Sequence, residues 1–123
     1  GKKASILISA ARLKISEHFF WNSPLMFPDL TQELYGNFSG SDLVLLKGDA
    51  NYRRLLSDRR WDHTISMNDI TGYFPAPFAV LRTLKSELAV DLTLEQVRRL
   101  EEEDPEWLVN GKRGMIRFVD KSF

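Results

Sequence analysis

The densest grouping of chemically useful side chains is Lys47, Asp49, Asn51 and Arg53, spaced two apart around Gly48 in the string LVLLKGDANYRRL. Two cations, a carboxylate and an amide in so short a stretch can hydrogen-bond hydroxyls or phosphate. None of them is a nucleophile by itself. The same residues also have a purely architectural reading, in which Asp49 caps a helix, Gly48 makes a turn and Lys47 is a solvated strand end. Strand-turn-helix junctions of that kind recur throughout α/β proteins, so the local pattern alone leaves both readings open.

The elements that must position these groups follow from the apolar pattern. Leu43 to Leu46 run unbroken, which suits a strand buried on both faces. Gly48 allows the sharp turn at its carboxyl end. Asp49 then stands at the expected N-cap of a helix whose apolar face is Tyr52, Leu55 and Leu56. Ligands of open α/β sheets bind outside the carboxyl ends of strands, and this junction is such a place. A second strand is predicted over Phe78 to Leu84, where alternation puts Phe78, Val80, Arg82 and Leu84 on one face. Arg82 therefore points with the apolar set, where an unpaired guanidinium is costly, and it requires a carboxylate or phosphate partner. Lys85 lies where that strand ends.

Elsewhere the pattern predicts the end of a buried helix over Ala4 to Ala11, with a strand as the rival, and a brief strand over Leu13 to Ile15. Phe27, Leu30 and Leu34 mark an amphipathic helix with Pro28 early and Gly36 late. His63 to Gly72 reads as a loop or a single helical turn. Thr93 with Gln96 has capping-box spacing ahead of a buried stripe of Leu94, Val97 and Leu100. Met115 to Val119 alternates as a last strand. His18 and Trp21 sit in an aromatic loop before Pro24, as neighbours of the pocket or as packed residues.

Composition excludes several classes. With 123 residues the chain is one domain's worth of core, and its 17 Lys plus Arg balance 17 Asp plus Glu. That neutrality argues against a general polyanion binder such as a nucleic-acid protein, although Lys47, Arg53 and Arg54 could form a local basic patch. The absence of cysteine excludes a disulfide framework, a thiol nucleophile and a cysteine zinc site. No apolar stretch reaches membrane-spanning length and no signal-peptide pattern is present, so the expected location is the cytoplasm or nucleus.

KGDANYRRL, followed by SDRRW and then LRTLK, resembles the metal-dependent damage-control phosphatases, in the branch that carries an Arg-Thr-x-Lys motif. The usual string there is KGDLNYRKL, from which this chain departs at Ala50 and Arg54. The similarity runs from about His18 to Phe118 and includes an H-x-F-W-x-x-P string at His18. It implies the C-terminal portion of a three-layer αβα Rossmann-like domain with a mostly parallel sheet, residues 1–123 being a fragment of a larger α/β phosphatase domain. It also implies substrate binding by Asp49, Ala50, Asn51, Tyr52, Arg53 and Lys85, with Lys47, Gly48 and Arg82 in support. Lys85 takes the phosphate by its match to the last motif position, and the backbone from Asp49 to Arg53 wraps the pocket. The family's metal site is an Asp-Asn pair with a further Asp, all upstream of the matching region. Asn68-Asp69 and Asp91 do not fit that context. A divalent metal (Mn, Mg, Co or Ni) is thus expected on residues outside this chain, and the catalytic residues upstream of it.

The resemblance implies a phosphatase of phosphorylated sugars or related damaged metabolites, such as fructose phosphates, working with the remainder of its own polypeptide. Two other classes stand beside it. Members of the same branch have been proposed as S-adenosylmethionine-dependent carboxyl methyltransferases acting on glutamate, but no Gly-rich loop with a following acidic residue is present here. A noncatalytic interaction module is the third.

Overall fold

The computed structural model describes residues 1–121. Its elements in chain order are α1 (Lys2–Ser9), α2 (Gln32–Ser39), β1 (Val44–Lys47), α3 (Asp49–Leu55), α4 (Met67–Ile70), β2 (Phe78–Thr83), α5 (Leu94–Glu103) and β3 (Gly114–Val119), with single 3-10 turns at Phe19–Asn22 and Phe27–Asp29. The fold is mixed α/β around a three-stranded sheet ordered β1-β2-β3. β1 and β2 are parallel, with Val44 opposite Phe78 and Lys47 opposite Leu81. Parallel neighbours require a crossover connection, and α3 and α4 supply it. β3 runs antiparallel to β2, with Leu81 opposite Ile116 and Arg82 opposite Met115. The described sheet is therefore mixed rather than mostly parallel.

Only one face of the sheet is covered. Val44 and Leu46 of β1, Phe78 and Val80 of β2 and Val119 of β3 are buried against α3, α4 and the aromatic segments before α2. On the other face Leu45 is 66%, Ile116 77% and Phe118 58% exposed. The expectation of a strand buried on both faces fails for β1, because no element of the described chain lies over Leu45.

The covered side is dominated by rings. Phe74 stands 4.9 Å from Phe78 and 5.9 Å from Phe27, both edge-on, and lies 5.5 Å from Phe38 in a stacked pair. Trp61 folds back over the end of α3, its Nε1 donating to the Leu56 carbonyl at 3.0 Å. At α5 the capping box forms as its spacing predicts: Gln96 N–H donates to Thr93 Oγ1 and Thr93 N–H to Gln96 Oε1. Of its apolar stripe Val97 is buried, while Leu94 remains 56% exposed.

Three expectations differ in the N-terminal third. Residues 2–9 are helical, as read, but none of them is buried. No strand forms over Leu13 to Ile15, which has no neighbouring strand to pair with. The single helix expected from Phe27 is split, because the Thr31 hydroxyl accepts from Leu34 N–H and starts α2 afresh after the 3-10 turn. Gly36 sits inside α2 rather than at its end. Among the described residues no helix is long and apolar enough to cross a membrane.

Phe78, with no exposed surface, joins the sheet to the ring cluster. Phe78→Ala is expected to cost about 3–5 kcal/mol by loss of burial and cavity formation. Urea unfolding of the protein carrying this chain checks it; a change under about 1 kcal/mol would mean that the ring cluster is not the core.

Candidate functional site

The turn between β1 and α3 is set by Gly48. Its φ of 97° lies in the left-handed region, and its N–H donates to the Leu81 carbonyl at 2.8 Å, extending the parallel ladder past the strand. A Cβ there would meet nothing within 4 Å. The requirement for glycine is thus one of backbone conformation, not space. Gly48, not Asp49, is the N-cap, and Asp49 is the first helical residue. Asn51 closes the turn from the other side, its Nδ2 donating to the Lys47 carbonyl at 2.9 Å.

Freed from capping, Asp49 meets Arg82. The Arg82 Nη2 lies 2.7 Å from Asp49 Oδ1, and the arginine side chain is completely buried while the carboxylate keeps 20% of its surface. This is the carboxylate that the alternation of β2 demands. Nη2 also donates to Ser86 Oγ at 3.2 Å, Nη1 donates to the Leu88 carbonyl, and Ser86 Oγ donates to Asp49 Oδ1 at 3.1 Å. The guanidinium carbon lies 3.9 Å from the centre of the Tyr52 ring, a cation-π contact in a desolvated setting. Tyr52 is itself buried, and its hydroxyl accepts from Val90 N–H at 3.1 Å. Burial pushes its phenol above the ordinary range. Arg82 Nε is buried with no hydrogen-bond partner among the described residues.

The two cations at the strand ends are placed differently. Lys47 and Lys85 are both exposed, and among the described residues neither side chain makes a hydrogen bond or ion pair. The stem of Lys85 runs beside Gly111, where an added Cβ would lie 3.7 Å from its Cε, and Gly111 N–H donates to the Leu84 carbonyl. The Asn110–Gly111 turn thus props the start of the Lys85 loop. A shallow groove of about 570 Å³ crosses the carboxyl ends of β1 and β2, lined by Lys47, Gly48, Leu81 and Thr83 among others.

The local basic patch that the sequence left open at Lys47, Arg53 and Arg54 does not form, the two arginines being engaged elsewhere. Arg53 donates twice to Asp58, at 2.7 and 2.9 Å, and each partner holds the other in its charged form: the arginine is raised and the aspartate lowered. Arg54 donates to the carbonyls of Trp21 and Ser23, with its guanidinium carbon 5.5 Å from the Phe20 ring centre. It anchors the aromatic loop to α3. His18 serves the same loop: its Nδ1 accepts from Phe20 N–H, and Nε2 faces Glu33 at 3.4 Å. Trp21 packs against Phe20, Phe27 and Phe38. Ala50 is exposed beside Ser23, Pro24 and Met26.

The fold thus brings Asp49, Arg82 and the start of the Lys85 loop together at the carboxyl ends of two parallel strands. Tyr52 faces inward, and Arg53 turns to Asp58. Ser86, which bridges Asp49 and Arg82, gave no sequence signal, since a serine after a strand suits any turn. Among the described residues no group of three or more His, Cys, Asp or Glu is placed to hold a metal ion.

Residues 2–100 match the family model of the damage-control phosphatase ARMT1-like domain. Curated relatives carrying the name damage-control phosphatase ARMT1 include those of Danio rerio, 42% identical over 106 residues, and Rattus norvegicus, 41% identical over 106 residues. The Homo sapiens relative is 35% identical over 105 residues. These alignments cover 82–83% of this chain and 24% of each relative, so the chain spans about a quarter of their length.

Arg82 and Lys85 are expected to separate by stability. Arg82→Ala leaves the Leu88 carbonyl without its donor and Asp49 without its counter-charge and is expected to cost about 3–5 kcal/mol, whereas Lys85→Ala should stay within about 0.5 kcal/mol. Denaturant unfolding of the two variants checks the contrast. Equal costs would contradict it.

Proposed function

We propose, from the premise that this chain belongs to the damage-control phosphatase ARMT1-like domain family, that it is the substrate-holding part of a phosphatase. The substrate class is phosphorylated sugars or related damaged metabolites such as fructose phosphates. The observation that carries the reading is the 2.7 Å contact between Asp49 and Arg82. It joins the KGDANYR and Arg-Thr-x-Lys stretches across adjacent parallel strands, at the end of the sheet where α/β proteins bind ligands.

On this reading the work divides by charge. Lys85 and Lys47, exposed and unengaged among the described residues, supply positive charge for the phosphate dianion. Asp49 and Asn51 present acceptor oxygens to the hydroxyls of the sugar. Ala50, Tyr52 and Arg53 contribute through the backbone of the first helical turns, Tyr52 being buried and Arg53 engaged by Asp58. Gly48 and Arg82 hold this arrangement in place. On this reading the phosphatase also uses a divalent cation (Mn, Mg, Co or Ni), held by residues outside this chain.

The uncovered sheet face supports the architectural part of the proposal. Leu45, Leu81, Ile116 and Phe118 form an apolar surface across all three strands, the kind of surface that a further layer normally covers. We take residues 1–123 to be the C-terminal portion of a three-layer αβα Rossmann-like domain, with the remainder of the same polypeptide over that face. The partners are then a small phosphorylated molecule and that remainder, with no role for nucleic acid or membrane, in the cytoplasm or nucleus.

The test is phosphate release from a fructose phosphate by the full-length protein supplied with Mn. Lys85→Ala is expected to lower kcat/KM at least about tenfold, roughly 1.4 kcal/mol of lost stabilisation. A Lys85→Ala enzyme with wild-type kcat/KM, or a wild-type protein that releases no phosphate, would overturn the reading.

A further inference from the structure

The Asp49 carboxylate is engaged on one side only. Both of its partners converge on Oδ1: Arg82 Nη2 forms an ion pair with it at 2.7 Å and Ser86 Oγ donates to it at 3.1 Å. Among the described residues Oδ2 receives no hydrogen bond, and the side chain keeps a fifth of its surface open. Ser86 is also tied to Arg82, whose Nη2 donates to its oxygen at 3.2 Å. One hydroxyl proton and two lone pairs fit these roles: Ser86 accepts from the guanidinium and must spend its single proton on the carboxylate.

We propose that Ser86 is a positioning residue for ligand binding, fixing the Asp49 carboxylate so that Oδ2 alone is offered to a hydroxyl of the substrate. This rests on the reading that Asp49 contacts substrate. Two features make Ser86 suited to the task. Arg82 alone engages a single oxygen through a single nitrogen and leaves the carboxylate free to pivot about that contact. The hydrogen bond from Ser86 to the same oxygen, arriving from a different element, removes that freedom. Ser86 also directly follows Lys85, so the serine ties the loop bearing the exposed cation to the acceptor on α3. The spacing between the group that takes the phosphate and the group that takes the hydroxyl then depends on one hydrogen bond. An acceptor-only oxygen selects ligands carrying O–H or N–H donors, which favours polyhydroxylated phosphates over simple alkyl phosphates.

The test uses the full-length protein and a fructose phosphate, reading KM, kcat and thermal stability together. Ser86→Ala is expected to raise KM about tenfold, the size of one lost charge-assisted hydrogen bond, with kcat within about threefold of wild type. Its Tm should fall by less than about 3 °C. Ser86→Thr keeps the hydroxyl and is expected to restore KM to within about threefold. A Ser86→Ala enzyme with wild-type KM would overturn the proposal. So would a raised KM that Thr does not restore, or one accompanied by a Tm loss well beyond that limit, since either marks a merely structural serine. If the wild-type protein releases no phosphate, the phosphatase reading itself fails and this inference falls with it; an active wild type with an unaffected Ser86→Ala variant removes the inference alone.

Discussion

A buried guanidinium governs this part of the molecule. Arg82 has no exposed side-chain surface, and moving such a charge out of water costs several kcal/mol unless its hydrogen bonds and counter-charge are supplied on the spot. The surrounding chain supplies them from four directions: a carboxylate from α3, a hydroxyl from the Lys85 loop, the Leu88 carbonyl and the face of Tyr52. Each of those groups is thereby located relative to the others. β2 cannot shift along β1 without breaking the set, and neither can α3 rotate. The pairing is better understood as specifying an arrangement than as adding stability, because an apolar residue of similar size would avoid the desolvation cost altogether.

That role explains why the sequence was readable at some positions and opaque at others. The alternation of Phe78, Val80 and Arg82 was enough to place the arginine inside and to require a partner for it, since strand periodicity is a local property. The identity of the partner was not local: Asp49 lies 33 positions away on another element, and its place after a glycine made it look like a helix cap. Gly48 assumed the cap position because its left-handed φ already turns the chain there. The capping box at Thr93 and Gln96 was legible for the opposite reason, being complete within four residues. The link from Ser86 to Asp49 and those from Arg54 to Trp21 and Ser23 were invisible, because these partners come from distant segments that no spacing rule connects.

The burial of β1 failed for a different cause. An unbroken apolar run does predict two covered faces, and here Leu45 and its neighbours on β2 and β3 lie open. An exposed apolar face of this kind is the surface that the proposed further layer would cover. The family relationship is consistent with that, the curated relatives being about four times as long as the part aligned here. The chemical groups lie at the carboxyl edge of the same sheet, so a covering layer would enclose Lys47 and the groove beside it.

The central claim is that the Asp49–Arg82 pair couples the two sequence stretches into one unit. A double-mutant cycle of Asp49→Asn and Arg82→Lys, read by denaturant unfolding of the full-length protein, tests it most directly. Both substitutions keep a polar group at each position, so the cycle reports the ion pair and its geometry rather than wholesale loss of packing. The account predicts a coupling free energy of at least about 1 kcal/mol, and single and double variants that are nearly equal in stability. Effects that add to within about 0.5 kcal/mol would show that the two residues act independently, and would contradict it.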